Sequence, residues 1–287
     1  MTINIINGEC IKLMKDLQDK SIDLLICDLP YGETNCKWDI KIDMEEFWNE
    51  FKRIRKSKRT ACIHFCSTKF GYELIKSWEK GYKMDMVWKK RNKTGGLQSR
   101  NRPMRNHEMV YFFYEEAPKY NRDKYHKRIQ PKKDHNIEKA GGVYGTNSSK
   151  MGTYSNFEPP NPASVLEEEE TDIYGEANNS TRKKDKEFKH AFNPPNPASV
   201  LELEEDEPVS MFESTKVFIG KRHHQTEKPL DILEFFLKYY SDEGNTILDP
   251  TMGSGSTGVA CKKLKRNFIG FELDEKIFKD AEDRIKK

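Results

Sequence analysis

The sequence predicts an α/β protein on a permuted Rossmann-like, mostly parallel sheet that a long insertion interrupts. Three observations predict it. Strand-length apolar runs alternate with apolar residues at helical spacing at both ends of the chain. The alternation lapses for about a hundred residues between them. A glycine-rich turn, Gly253-x-Gly255-x-x-Gly258, follows a predicted strand and opens a predicted helix, yet only 29 residues come after it. So short a remainder cannot complete a doubly wound sheet, and the missing strands must lie upstream.

The elements follow in order. Ile22, Leu24, Leu25 and Ile26 form a buried strand over 21–27, closed by the Pro30-Tyr31-Gly32 turn. Met44, Phe47, Trp48, Phe51 and Ile54 recur at helical spacing. A strand over 60–65, a helix carrying Phe70, Leu74, Ile75 and Trp78, and strands over 82–88 and 108–114 continue the alternation. It resumes at Pro229, which leads a helix with Ile232, Leu233, Phe236 and Tyr240. A strand over 246–248, the glycine-rich loop, a helix, a strand over 267–271 and a last helix with Ile277, Phe278, Ala281 and Ile285 complete the chain.

Charged residues make up 34% of the 287 and the net charge is only +3, so attraction to a polyanion has to come from local clustering. The six cysteines, Cys10, Cys27, Cys36, Cys62, Cys66 and Cys261, include no CxxC pair and follow no signal peptide. That usage predicts buried free thiols in a reducing cytoplasm and no disulfide framework. Cys62, His64 and Cys66 share one strand face, but no fourth ligand stands at metal-site spacing, and no metal is expected. No apolar run is long enough to cross a membrane.

Two motifs carry chemistry. Asp28-Leu29-Pro30-Tyr31-Gly32 ends the first predicted strand, and Asp249-Pro250-Thr251-Met252-Gly253-Ser254-Gly255-Ser256 ends the strand over 246–248. Glycines let a backbone approach a nucleotide-like ligand, and Glu272, at the tip of the next strand, stands where an acid accepts bonds from ribose hydroxyls. As plain structure, Asp-Leu-Pro-Tyr-Gly would be a strand-to-turn exit.

In this order the motifs resemble the β-group of amino-group DNA methyltransferases, in which the catalytic loop precedes the recognition region and the cofactor loop comes last. Further segments support the likeness: Asn7-Gly8-Glu9-Cys10, Trp88-Lys89, His107-Glu108, 223–229, and Phe271-Glu272-Leu273-Asp274. It spans 1–114 and about 220–287. The resemblance implies a site-specific enzyme that moves a methyl group from S-adenosylmethionine to adenine N6 of double-stranded DNA, with Asp28, Leu29, Pro30 and Tyr31 as the catalytic loop. An exocyclic amino group is a poor nucleophile because its lone pair is delocalised into the ring. A carboxylate oxygen of Asp28 and the carbonyl beside Pro30 can accept its two N–H bonds, and Tyr31 offers a face to the extruded base. By the same likeness Gly253 and Gly255 pass the methionine part, Asp249 orients its amino group, Thr226 and Lys228 hold its carboxylate, Glu272 takes the ribose and Glu9 the adenine. The family more often has Gly-Asp at 8–9 and His-Pro-Thr at 224–226. Trp88 either stacks near the base or fills the core.

Adenine is favoured because Asp opens the loop where Ser is commoner in cytosine-N4 enzymes, which are the nearest alternative. A nucleic-acid-binding protein with a vestigial cofactor fold and a nicotinamide oxidoreductase are the alternatives of other classes. The expected division is a catalytic half at 1–114, a target-recognition insertion at 115–222 and a cofactor half at 223–287. Within 117–150 there are nine Lys or Arg against three acids, interleaved with Tyr120, Tyr125 and Tyr144. Lys127, Arg128, Lys132 and Lys133 are the expected phosphate contacts. The insertion also repeats PPNPASVLE, at 159–167 and 194–202, with Phe157 and Phe192 matching. The repeat is either a neutral surface duplication or a repeated docking arm. The resemblance allows a homodimer and places the protein in the cytoplasm of a bacterial or phage-infected cell, on DNA.

Overall fold

The computed structural model describes residues 1–32, 40–94, 97, 100–125, 127, 128, 157, 158, 165–167 and 227–287, with the backbone alone at 91–94 and in the short strands between 127 and 167. Along the chain run β1 (Ile3–Asn7), α1 (Cys10–Lys15), β2 (Leu24–Cys27), α2 (Met44–Ile54), β3 (Ala61–Cys66), α3 (Thr68–Ser77), β4 (Tyr82–Thr94) and β5 (Arg105–Phe113). After them come α4 (Arg122–Tyr125), β6 (Lys127–Arg128), β7 (Phe157–Glu158) and β8 (Val165–Glu167). The C-terminal part holds α5 (Leu230–Tyr240), β9 (Thr246–Asp249), α6 (Ser256–Lys263), β10 (Asn267–Glu272) and α7 (Glu275–Lys286).

Eight strands form one sheet in the order β1-β10-β9-β2-β3-β5-β4-β8. Pairing is parallel from β1 through to β3, antiparallel on both sides of β5, and parallel again between β4 and β8. The permutation is therefore explicit: β9 and β10 stand between β1 and β2. Both faces are covered, which explains the unbroken apolar run of β2. Leu24 and Ile26 face a cluster with Phe65, Phe112 and Phe236. Leu25 and Cys27 face the opposite cluster with Phe47, Trp48 and Phe51. Asp43 caps α2 by accepting from the Glu45 and Glu46 amides at 2.9 and 3.0 Å, and Trp48 Nε1 donates to Ser77 Oγ at 2.7 Å.

The predicted helices and central strands stand within a few residues of expectation. Pro229 precedes α5 as its cap instead of opening it. β1 and α1 were not expected, because β1 reads Ile-Asn-Ile-Ile-Asn and shows no clean alternation. Thiols behave as predicted among the described residues: Cys10, Cys27, Cys62, Cys66 and Cys261 are free and buried, and Cys36 lies outside those residues. No described helix is long and apolar enough to cross a membrane.

The start of the insertion belongs to the core. Asn121 donates through Nδ2 to the Ser241 carbonyl at 2.8 Å and through its amide to the Tyr239 carbonyl at 2.8 Å. Tyr120 stacks on Tyr239 at 5.3 Å and Tyr125 packs against the same ring at 5.4 Å. These two tyrosines, expected in the stretch that meets phosphates, pack on Tyr239 and remain exposed at the surface. Tyr144 lies outside the described residues.

Phe236 joins the two ends of the chain, with its ring 5.8 Å from Phe65 and 5.7 Å from Phe112. Phe236→Ala should cost about 3–5 kcal/mol of stability. Urea unfolding checks this, and a loss under about 1 kcal/mol would show that this packing does not join them.

Candidate active site

Ligands in open α/β sheets collect at the carboxyl ends of parallel strands where the strand order reverses. Here β1, β10, β9 and β2 end side by side, so residues 8–9, 272–273, 249–254 and 28–31 converge on one cavity of about 770 Å³. Phe65, Trp88, Lys90, Glu108 and Lys228 close its far wall. Sequence positions more than 200 apart meet there through strand pairing alone.

Asp28 sits at the exit of β2 with both carboxylate oxygens engaged. Tyr31 Oη donates to Oδ1 at 2.5 Å and to the Phe65 carbonyl at 3.0 Å. Lys228 Nζ donates to Oδ2. The Asp28 carbonyl in turn accepts from Thr251 Oγ1 at 3.1 Å, tying the Asp28 loop to the glycine-rich loop. Burial and the neighbouring Asp28 carboxylate push the Tyr31 phenol well up, so it stays a donor. Its ring stacks on Phe70 at 5.0 Å. Leu29 is buried.

Lys228 was expected against a ligand carboxylate. In the structure it is an internal cation, with its ammonium 5.3 Å from the Phe65 ring and 5.9 Å from that of Trp88. Burial pulls its pKa down, but Asp28, Glu108 and Asp249 together hold it above the usual lysine value. Glu108 is the counterpart: burial raises it, while Lys228 and Lys90 bring it below the ordinary carboxylate range. Lys90 Nζ stands 2.8 Å from Glu108 Oε2 as an ion pair without hydrogen-bond alignment. Trp88, directly opposite Glu108 in the β4–β5 register, is 3% exposed and belongs to the core. Its indole N–H has no hydrogen-bond partner among the described residues. The sequence offered Trp88 as a stacking or core residue and assigned Lys90 and Glu108 no role, and the cross-strand register is what brings the three to the cavity.

At the other end, Glu272 accepts from the Gly253 amide at 3.0 Å and from the Asp274 amide at 2.9 Å. Burial raises it despite these bonds. Asp249 is buried, accepts from Thr257 Oγ1 at 2.6 Å and from the Thr251 amide at 3.2 Å, and is pushed up by burial to about 7. Glu9 lines the cavity and caps α1, accepting one bond on each oxygen from the Ile11 and Lys12 amides at 2.9 Å. The glycines divide. Gly253 has φ +51° and open space where a Cβ would stand, whereas a Cβ on Gly255 (φ +76°) or Gly258 would meet Ile285 Cδ1 at 2.8 or 2.7 Å. Gly255 thus serves helix packing, against its expected place beside a ligand. Thr226, Lys132 and Lys133 lie outside the described residues, as do the side chains of Lys127 and Arg128.

The thiol cluster differs from the expected strand-face trio. Cys27 takes the place of Cys66: its Sγ is 2.9 Å from His64 Nδ1, and Cys62 Sγ is 3.1 Å from His64 Nε2. Both ring nitrogens face thiols, and the group has three ligand-type residues among the described ones. It is a buried group inside the core, with Cys27 next to Asp28 in the chain.

With the geometry in place, the comparisons are specific. The DNA methylase family model matches residues 22–283. The chain belongs to this family of N6/N4 amino-group DNA methyltransferases. It is similar to the Type II methyltransferase M2.DpnII of Streptococcus pneumoniae, 30% identical over 154 residues, which cover 53% of this chain and 57% of that relative. The match to M2.LlaDCHI of Lactococcus lactis subsp. cremoris is alike, 31% over 156 residues, so the chain spans little more than half the length of either. M1.MboII of Moraxella bovis is 23% identical over 284 residues, or 95% of this chain and 92% of the relative. In fold, the chain resembles the M1.HpyAVI–SAM complex (TM-score 0.54, 19% identity, 99% of this chain and 100% of that one). It also resembles the cytosine-N4-specific PvuII DNA methyltransferase (TM-score 0.57, 12% identity, 99% and 86%).

The raised Asp249 carboxyl carries a pH signature. It binds its proton up to about pH 7 in the folded chain, but only to about 3.9 when unfolded. Its contribution to stability is present below the unfolded value and is lost as pH rises through the folded one. Asp249→Asn should therefore be more stable than the parent at pH 8, with a flatter fall in stability between pH 4 and 7. Urea midpoints at pH 5 and 8 check this, and parallel pH profiles for the two proteins would refute it.

Proposed function

We propose that this protein transfers a methyl group from S-adenosylmethionine to adenine N6 in double-stranded DNA, acting on a base turned out of the helix. The observation that carries the reading is one cavity with two chemically distinct ends. At one end Asp28 presents a carboxylate fixed by Tyr31 and Lys228. At the other, Glu272, Asp249 and the open backbone at Gly253 form a site for a nucleoside bearing an amino acid.

The residues present fit that cofactor. Each Glu272 oxygen accepts one backbone bond and keeps a lone pair for a ribose hydroxyl. Asp249 is a buried carboxyl whose raised pKa marks it as short of a cation, which an amino acid's ammonium supplies. Bound S-adenosylmethionine supplies an electrophilic methyl carbon on a sulfonium. Asp28 accepts an N–H bond of the target amino group and the Leu29 carbonyl, beside Pro30, accepts the other, which turns the nitrogen lone pair outward. As the nitrogen becomes positive, the carboxylate and Glu108 stabilise it, and Asp28 holds the proton the amine must shed. The Asp28 pairing with Lys228 has to loosen for the amine to approach, and the ammonium has Glu108 as a second carboxylate partner.

Asp28 in place of Ser is what supports adenine over cytosine, and the family covers both amino-group targets. The insertion, with Lys127, Arg128, Lys132 and Lys133, supplies the contacts to DNA phosphates in this reading. Long-read sequencing of DNA from cells expressing the protein, scored for N6-methyladenine and N4-methylcytosine with flanking bases, decides between the targets. Absence of N6-methyladenine with folded protein present defeats the proposal.

Asp28→Asn, which keeps the side-chain shape, and Asp28→Ala should both retain cofactor binding by calorimetry and lose methyl transfer in a tritiated-methyl assay. Substantial residual transfer would remove the assigned role. Glu272→Ala should weaken S-adenosylmethionine binding by about 1.5–3 kcal/mol, the range for lost charge-assisted hydrogen bonds. Unchanged affinity in a folded variant would make this acid a loop-bracing residue alone.

A further inference from the structure

The duplicated segment of the insertion meets the fold at two places. In the first copy, Phe157 and Glu158 pair with β6, with Lys127 opposite Glu158 and Arg128 opposite Phe157. Eight residues on, Val165, Leu166 and Glu167 extend the main sheet in parallel register with Val87, Trp88 and Lys89. Both ends of the repeat are thus used as strands. Counted with its leading phenylalanine, the repeat reads FEPPNPASVLE at 157–167 and FNPPNPASVLE at 192–202. The copies differ at one residue, Glu158 against Asn193. The second copy lies outside the described residues.

We infer that the edge of β4, together with β6, is an exchangeable docking surface whose second occupant is the 192–202 segment of the same chain. A strand added to a sheet edge by backbone pairing is selected by its sequence, and Val200, Leu201 and Glu202 repeat that of the docked strand without change. Chain connectivity does not forbid the exchange. Moving the docked unit by 35 residues lengthens the connection from β6 and shortens the one to α5. Each doubling of a loop costs only about threefold in population, and the two changes oppose each other. What breaks the tie is the single difference. Glu158 stands opposite Lys127 in the β6–β7 register, and a cross-strand pair of opposite charge favours the first copy by roughly two- to fivefold at low salt.

The exchange bears on the active-site wall. β4 is a long strand, and its uncovered edge would be an open template for pairing. The docked strand covers it at Trp88, the residue whose ring lines the cavity beside Lys228. The basic stretch between β6 and the docked unit runs over 129–156 in one arrangement and 129–191 in the other. The sheet edge is covered in both, while the reach of the phosphate-contacting loop differs.

Site-directed cross-linking tests this without relying on methyl transfer. A full-length variant carrying Cys36→Ser, Lys89→Cys, Glu167→Cys and Glu202→Cys is treated with a short bis-maleimide and mapped by mass spectrometry. Both the 89–167 and the 89–202 links should form within single chains. The ratio of 89–202 to 89–167 links should rise roughly two- to fivefold on adding Lys127→Gln or Glu158→Gln, or at high salt. In a chain with 158–192 deleted, which joins Phe157 to Asn193, the 89–202 link should form fully. A sole 89–167 link at every salt concentration, a 89–202 link found only in cross-linked dimers, or neither link in folded protein would each overturn the inference.

Discussion

The parallel pairing of β9 with β2 is the constraint on which the rest of this molecule depends. Leu24 and Leu25 lie beside Ile247 and Leu248, and Asp23 secures the start of the ladder by exchanging bonds with Thr246 at 2.9 Å. Two strands in parallel register must end at the same edge. Because Asp28 follows directly on β2 and β9 ends in Asp249, one pairing of strands from opposite ends of the chain sets the Asp28 carboxylate next to the glycine-rich loop. The Thr251 hydroxyl on the Asp28 carbonyl then holds the two loops together. The insertion between the ends can lengthen at modest entropic cost, because closing a longer loop grows only logarithmically dearer.

That convergence creates an electrostatic problem, and the wall residues answer it. Asp28, Glu108, Asp249 and Glu272 all line one partly dehydrated cavity, where uncompensated carboxylates are costly. The structure resolves this unevenly. Asp28 and Glu108 share the cations Lys228 and Lys90, whereas Asp249 and Glu272 have hydroxyl and amide donors but no cation in contact among the described residues, and both are raised. The charged end suits a group that becomes positive during reaction. The proton-holding end suits a ligand that arrives with its own positive charge.

Much of this was legible in the sequence because it was written in local signals. The β2 run, the helical spacing of Phe47, Trp48, Phe51 and Ile54, and the glycine-rich turn each declare themselves within a dozen residues. The permuted order followed from counting what remains after Gly258. Less legible were interactions that depend on register across strands. Nothing local shows that Cys27 rather than Cys66 joins Cys62 and His64, since the choice is made by the β2–β3 pairing of Cys27 with His64. The sequence placed Lys228 against a ligand carboxylate, and only the closeness of the start of α5 to the end of β2 makes it the partner of Asp28. Tyr120 and Tyr125 read as surface aromatics in a basic stretch and are exposed, but nothing local shows that both also pack on Tyr239.

The glycine-rich motif shows how one pattern serves two physical needs. Gly253 has a positive φ and nothing within 4 Å of its absent side chain, the arrangement of a backbone left open to a ligand. Gly255 and Gly258 face Ile285 at distances no Cβ tolerates, so they let α6 and α7 close upon each other. Arg284 completes that closure by bonding Ser254 and Ser256 at 3.1 Å each and pairing with Glu227. Since Glu227 precedes Lys228, the clamp that seats the last helix also fixes the backbone that aims Lys228 at Asp28. The C-terminal helix and the Lys228–Asp28 pair are therefore joined by one short stretch of backbone held by the Arg284–Glu227 ion pair.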